Sequence, residues 1–176
     1  MLLNNDVIVT PNWLDNLKKG LYSGSNIGAV GAVTNNCSNN QVIDTDYNNI
    51  DQLIEFSKEN NISDNSKWIE KLRLVGFCML IKRDIINKVG LLDEIFTPGN
   101  FEDDDYSYRI RQTGYKLLLC KDAYIHHFGS ASFKKLPGEY NKLLQVNREK
   151  FKNKWGFDPN LINNKEMSTI SDLKMF

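Results

Sequence analysis

Three groups of residues carry the chemistry this chain has to offer. The first is Asn4-Asn5-Asp6, set directly after the apolar pair Leu2-Leu3. A carboxylate at the carboxyl end of a strand lies where α/β sheets bind ligands and where a divalent cation finds oxygen donors. The same residues also serve simply to turn a chain and cap the next segment. The second is Phe101-Glu102-Asp103-Asp104-Asp105, four consecutive acids. A carboxylate on a rigid helix start has what a general base needs, although acids also favour first helical turns as plain solvated caps. Four adjacent like charges exceed what capping asks for, because they repel one another unless a cation is near. The third is His126-His127, the only histidines. Neighbours on a strand point to opposite faces, so one of them at most enters a given site. Imidazole is a common metal ligand, and equally a common half-buried hydrogen-bonding group.

The elements that position these groups follow from periodicity. Residues 7–9 read as extended, and Thr10-Pro11 predicts a helix cap and first helical position, with the helix reaching about residue 23. Leu14, Leu17 and Leu21 fall on one face, and Gly24 stops it. Residues 27–33 read as a buried strand, and the polar, Asn-rich residues 34–49 as a long mobile surface loop. A helix follows over 50–60 with Ile50, Leu53 and Ile54 inward, then a polar break over 61–66. Residues 73–82 are the strongest strand candidate, with Gly76 as its one interruption. A short helix over 84–89 ends at Gly90, a turn occupies 97–100, and a helix over 102–113 carries the acids and ends at Gly114. Strands over 115–121 and 123–127 bring in the histidines. A helix from 137 to 155 places Tyr140, Leu144, Phe151 and Trp155 on one face, and the polar last twenty residues fray. The alternation predicts an α/β fold with a mixed, partly parallel sheet flanked by helices.

Taken in order, the motifs resemble family 2 glycosyltransferases of the GT-A fold. Leu2-Leu3-Asn4-Asn5-Asp6 with Val9-Thr10-Pro11-Asn12-Trp13-Leu14 is similar to their metal-site region. Gly76-Phe77-Cys78-Met79-Leu80-Ile81, Val89-Gly90-Leu91-Leu92-Asp93-Glu94, the 101–105 acids and Gly114-Tyr115 resemble the acceptor half of that fold. His127-Phe128-Gly129-Ser130 matches the histidine motif that closes it, and 147–158 looks like the tail helix of bacterial members. The resemblance covers residues 1–135 as the acceptor and metal-site half, with 136–176 as a C-terminal helix and polar tail.

The resemblance implies transfer of a sugar, hexosyl or deoxyhexosyl, from a nucleotide-sugar donor to a hydroxyl of a glycan or other acceptor, with inversion, as in polysaccharide biosynthesis. It makes Asp103 the base, Glu102 and Asp105 groups that orient the acceptor or the base, and Asn5 and Asp6 the contact to the donor. Asp6 and His127 would share a divalent cation, Mn²⁺ or Mg²⁺. The triplet reads Asn4-Asn5-Asp6, so a single carboxylate would meet the metal and binding would be completed by the diphosphate. The family's nucleotide-binding part has no counterpart ahead of this motif, and Met1-Leu2-Leu3 reads as the end of a buried strand. The expectation is therefore a C-terminal half, inactive alone, that begins in mid-sheet and oligomerises through an open sheet edge. Two other readings stand beside it: a non-catalytic oligomerising or acceptor-binding remnant of that domain, and a metal-dependent nucleotidyl enzyme on a similar sheet.

Composition narrows the classes further. Lys and Arg number 22 and so do Asp and Glu, which leaves no basic excess to track nucleic-acid phosphates or an anionic membrane surface. A chain of 176 residues supports a core without staples. The three cysteines are dispersed and form no CxxC pair, which predicts free, mostly buried thiols and a reducing, cytoplasmic setting. The longest apolar run, residues 74–81, is far short of the roughly 20 residues that span a bilayer. Peripheral membrane association stays compatible with the resemblance.

Overall fold

The computed structural model describes residues 1–129 and 137–161. Its elements are β1 (Leu2–Leu3), β2 (Val7–Ile8), α1 (Trp13–Leu21), β3 (Ile27–Val33), α2 (Ile50–Asn60), β4 (Trp68–Lys71), β5 (Cys78–Ile81), α3 (Arg83–Val89), α4 (Glu102–Gln112), β6 (Lys116–Tyr124), β7 (His126–His127) and α5 (Pro137–Trp155). Five strands form one sheet in the order β1-β5-β3-β6-β4. β3 and β6 run parallel, and every other pair in that sheet is antiparallel. β2 and β7 make a separate antiparallel ribbon. The expected α/β architecture with a mixed sheet flanked by helices is the observed one.

β3 shows how the sheet is filled. All seven of its residues are buried, and the pleat sends Ala29 and Val33 to one face and Val30 and Ala32 to the other. The first face is covered by Leu53 of α2, Ile85 of α3 and Tyr106 and Ile110 of α4. The second is covered by Leu17 and Leu21 of α1. A third cluster joins Tyr108 of α4 to Phe151 of α5, with Leu72, Phe96 and Phe157. Among the described residues no helix is long and apolar enough to cross a membrane.

The structure corrects several sequence expectations. The strand expected over 73–82 is confined to Cys78–Ile81. Ahead of it, the N–H groups of Leu74, Val75 and Gly76 donate to Ser107 Oγ, Gln41 Oε1 and Asp103 Oδ2, so they are spent on side chains rather than on a neighbouring strand. Trp68–Lys71, in the stretch between the polar break and that strand, pairs with β6 instead. The first strand is not buried in mid-sheet. Among the described residues β1 is an edge strand paired with β5 alone, and Leu3 is 39% exposed.

Thr10 does not cap α1. Its hydroxyl donates to the carbonyl of Tyr124, and the helix starts after Asn12, whose φ of 64° is left-handed. Leu14 and Ile50 are exposed rather than inward. The two strands expected over 115–127 are one long strand, β6, followed by the short β7. Residues 34–49 are not merely a surface loop: Gln41 is fully buried and donates to Ala32 O at 2.9 Å, while Thr34 bridges to Val42. The tail beyond residue 161 and Ser130 of the histidine motif lie outside the described residues.

Candidate functional site

A cleft of about 710 Å³ opens where the ends of β1, β2 and β7 meet the start of α4. Asn4, Asn5, Asp6, Glu102, Asp103, Asp104 and His127 all line it. The ribbon builds its first side. Val7 pairs with His127 and Ile8 with His126, and the Phe128 amide donates to Asp6 O at 3.0 Å, which holds the two chain segments side by side. In consequence Asp6 Oδ1 lies 3.3 Å from His127 Nε2. His127 is the buried member of the histidine pair; His126 is half-buried and bonds Tyr47 through Nδ1 at 2.6 Å.

The tautomer that a neutral His127 ring takes follows from its partners. Its ring stacks on Phe77, with centroids 5.3 Å apart, and Nδ1 sits 2.7 Å from Asn36 O. A carbonyl only accepts, so Nδ1 carries a proton and a neutral ring presents the lone pair of Nε2 to the cleft. That lone pair meets the amide nitrogen of Asn4 at 3.4 Å as well as the Asp6 carboxylate. Two acceptors at 3.3 Å repel one another unless a proton or a cation lies between them.

The second side is the acidic turn. Asp103 is oriented by two backbone amides: Gly76 N donates to Oδ2 and Asp104 N to Oδ1, each at 2.9 Å. An ionised carboxylate has about four lone-pair sites, so each oxygen keeps one for a ligand. Asp104 is buried and pairs with Arg73 Nη1 at 2.6 Å, and Arg73 Nη2 also donates to Ser38 Oγ. Burial pushes the Asp104 carboxyl up, against the pull of the Arg73 guanidinium. Glu102 has one carboxylate oxygen, Oε2, buried without a hydrogen-bond partner among the described residues. Burial, reinforced by the charge of Asp103, pushes the Glu102 carboxyl up to about 7.

Asp105 stands apart from the other three acids. It does not line the cleft; its carboxylate takes Arg109 Nε at 2.8 Å, Trp155 Nε1 at 2.9 Å and Lys154 Nζ at 2.6 Å. This corrects its expected role as a group that orients the acceptor or base directly, because its oxygens are spent tying α5 to α4. The structure thus gathers Asn5, Asp6, Glu102, Asp103 and His127 around one cleft and leaves Asp105 behind it.

Arg73 is the single lysine or arginine among the described lining residues, and sequence reasoning passed over it. Its signal was legible: a charge set between Leu72 and the apolar run that opens at Leu74 asks for a buried partner. Gln41, Asn100 and Asn147 were missed as well, and only long-range contacts mark them. Cys37 lines the cleft with its thiol pushed up by burial, while Cys78 and Cys120 are buried and all three are free.

With Arg73 committed to Asp104, Asp6, Glu102 and Asp103 leave the cleft rich in acid. Among the described residues no group of three or more His, Cys, Asp or Glu side chains is arranged to hold a metal ion. Asp6 and His127 by themselves offer one hard oxygen and one imidazole nitrogen, two donors that a divalent cation could use if other oxygens completed its shell. No family model matches the chain, and no curated protein matches it.

Proposed function

We propose that this chain carries the metal and acceptor part of an inverting glycosyltransferase similar to family 2, on a GT-A-like sheet. The observation that carries the reading is the meeting of Asp6 and His127 at 3.3 Å in the cleft that Asp103 also lines. A two-donor metal pair and an oriented carboxylate are the two devices that transfer from a nucleotide sugar needs.

Each device answers one demand of the reaction. The acceptor hydroxyl must lose a proton as it attacks, and Asp103 is the carboxylate free to take it, steadied by the amides of Gly76 and Asp104. The leaving diphosphate is an anion entering an acidic cleft. A divalent cation held by Asp6 and His127 would neutralise its charge. Asn36, through its carbonyl on Nδ1, keeps His127 in the tautomer that offers Nε2. Asn5 lines the same end and is suited to hydrogen-bond the donor.

The test is a transfer assay on the chain, offered a panel of nucleotide sugars and Mn²⁺. Asp103→Asn should lower transfer by about two or more orders of magnitude, the usual size of a general-base effect. Retained transfer in Asp103→Asn with loss in Asp105→Asn overturns the assignment.

A further inference from the structure

The acidic turn is held in a conformation its own residues disfavour. Asn100 and Phe101 both have φ of 73°, in the left-handed region. Asparagine tolerates that region, but for a bulky residue such as phenylalanine it is an outlier. Conformations of this kind persist where the surroundings over-determine them. α4 supplies part of the constraint, through the Glu102 carboxylate on the Asn100 backbone and the Asp105 amide on Phe101 O, although Phe101 stands at the cap position without a side-chain cap bond.

The rest of the constraint comes from α5. Asn147 is fully buried, and its amide nitrogen donates to Phe96 O at 2.7 Å, Gly99 O at 2.8 Å and Asn100 O at 3.2 Å. Lys150 donates to Asn147 Oδ1 at 2.9 Å, which fixes the amide so that nitrogen and not oxygen faces the three carbonyls. Tyr140, one turn of α5 from the cleft-lining Leu144, donates to Asn100 Oδ1 at 3.3 Å. Further along, Trp155 and Lys154 hold Asp105 from behind. The C-terminal helix therefore grips both the entry to α4 and its first turn.

We propose that α5 is a clamp on the acidic turn and that Asn147 is a positioning residue, which holds Asn100 and Phe101 left-handed and so sets Asp103 in the cleft. The consequence for function rests on the reading of Asp103 as the base, but the clamp itself does not. Asn147 touches no residue of the Asp6–His127 pair, so its loss disturbs the base and spares the metal end.

The experiment uses the full 176-residue chain and amide hydrogen exchange by NMR. The reporter is the Asp105 amide, whose bond to Phe101 O at 3.0 Å is the one that closes the first turn across the strained residue. Asn147→Asp keeps the shape and removes the donor. It should speed Asp105 exchange about tenfold, the effect of losing one or two buried hydrogen bonds, with β3 and β6 unchanged. Broadening of His127 resonances by Mn²⁺ should match the parent chain.

Unchanged Asp105 exchange in Asn147→Asp overturns the clamp. If Asn147→Asp unfolds the whole chain, Tyr140→Phe, which removes one hydroxyl, should still speed Asp105 exchange about twofold or more, and no change there also overturns it. In a preparation active in transfer, Asn147→Asp should lower kcat and leave the donor KM unchanged. A raised KM with kcat intact overturns the positioning role. These readouts separate the two claims: loss of transfer in Asp103→Asn tests the base, and Asp105 exchange tests the clamp whether or not Asp103 is the base.

Discussion

The amide of Gly76 donates to Asp103 Oδ2 at 2.9 Å, and this bond links the broken strand before β5 to the acidic turn of α4. The hydrogen that would have extended β5 is given to the carboxylate instead. A Cβ at position 76 would stand 3.4 Å from Asp103 Cβ, in ordinary contact, so it is the amide of Gly76 and not the absence of a side chain that makes the link.

The acids of the turn should separate cleanly in stability measurements. Asp103→Asn keeps an oxygen for Gly76 but loses the acceptor of the Asp104 amide, and should cost about 1 kcal/mol, the usual net worth of one hydrogen bond. Asp105→Asn removes the charge that Arg109 and Lys154 share, and Asp105 is fully buried. That substitution should cost about 3 kcal/mol, as breaking a buried pair does. Urea denaturation of both variants checks the contrast, and equal losses would remove the distinction between a cleft carboxylate and a structural tie.

The metal end makes a second expectation. Mn²⁺ should bind the parent chain weakly, and more tightly when a nucleoside diphosphate supplies oxygens to complete the shell. Asp6→Asn and His127→Ala should each weaken Mn²⁺ binding about tenfold or more, in the range seen when a metal site loses part of its support. His126→Ala should not, since His126 faces Tyr47 and Phe128. Relaxation enhancement of water by Mn²⁺ gives the affinities, and equal affinity across all four proteins would dismiss the pair as a metal site.

Much of the fold was legible because its signals are local. The β-branched and small residues of Ile27–Val33, the cap at Asn49 ahead of Ile50–Asn60, and Gly90 and Gly114 with positive φ behind their helices each mark an element from within a few positions. The end of the apolar run at 73–82 was not legible. Three side chains remote in sequence take its N–H groups, and no property of the run itself announces that. Asp6 and His127 were expected to meet because both close strands that an α/β sheet gathers at one edge. Asn147 was invisible for the opposite reason: a lone asparagine on an amphipathic helix reads as surface until the carbonyls of residues 96–100 arrive beneath it.

The raised carboxyls predict a pH dependence with a definite sign. Glu102 titrates near 7 in the folded chain against an ordinary value of 4.5, chiefly from burial, and Asp104 moves in the same direction. The folded state therefore holds protons that the unfolded chain releases, and their contribution is present at and below the ordinary carboxylate range and lost as pH rises through about 7. Asp64, Asp93 and Asp158 are shifted downward and act at more acidic pH, outside this window, while His126, held below its ordinary value by burial, acts inside it with the opposite sign and offsets part of the fall. The melting temperature should fall by a few degrees between about pH 5 and pH 8, and Glu102→Gln should flatten that fall. A slope that Glu102→Gln leaves unchanged would remove Glu102 as its source.

The seat of α4 on the sheet gives the last prediction. Gly28 of β3 lies under the helix, and a Cβ there would stand 2.8 Å from Ile110 Cγ2 and 2.9 Å from Tyr115 Cβ. Real Cβ atoms do not approach so closely, so Gly28→Ala must lift α4 or push Tyr115 aside. Overpacking of this kind costs about 1–3 kcal/mol. Ile110→Ala removes one of the two obstructing atoms at its own cavity cost, so the double variant should be less destabilised than the sum of the singles by about 1 kcal/mol, the coupling expected of residues in contact. Because α4 carries Glu102 and Asp103 at its other end, Gly28→Ala should also disturb the acidic turn, read as faster exchange of the Asp105 amide. Additive energies in the cycle would place the strain at Tyr115 rather than at the helix, and the acidic turn should then stay as it is in the parent chain.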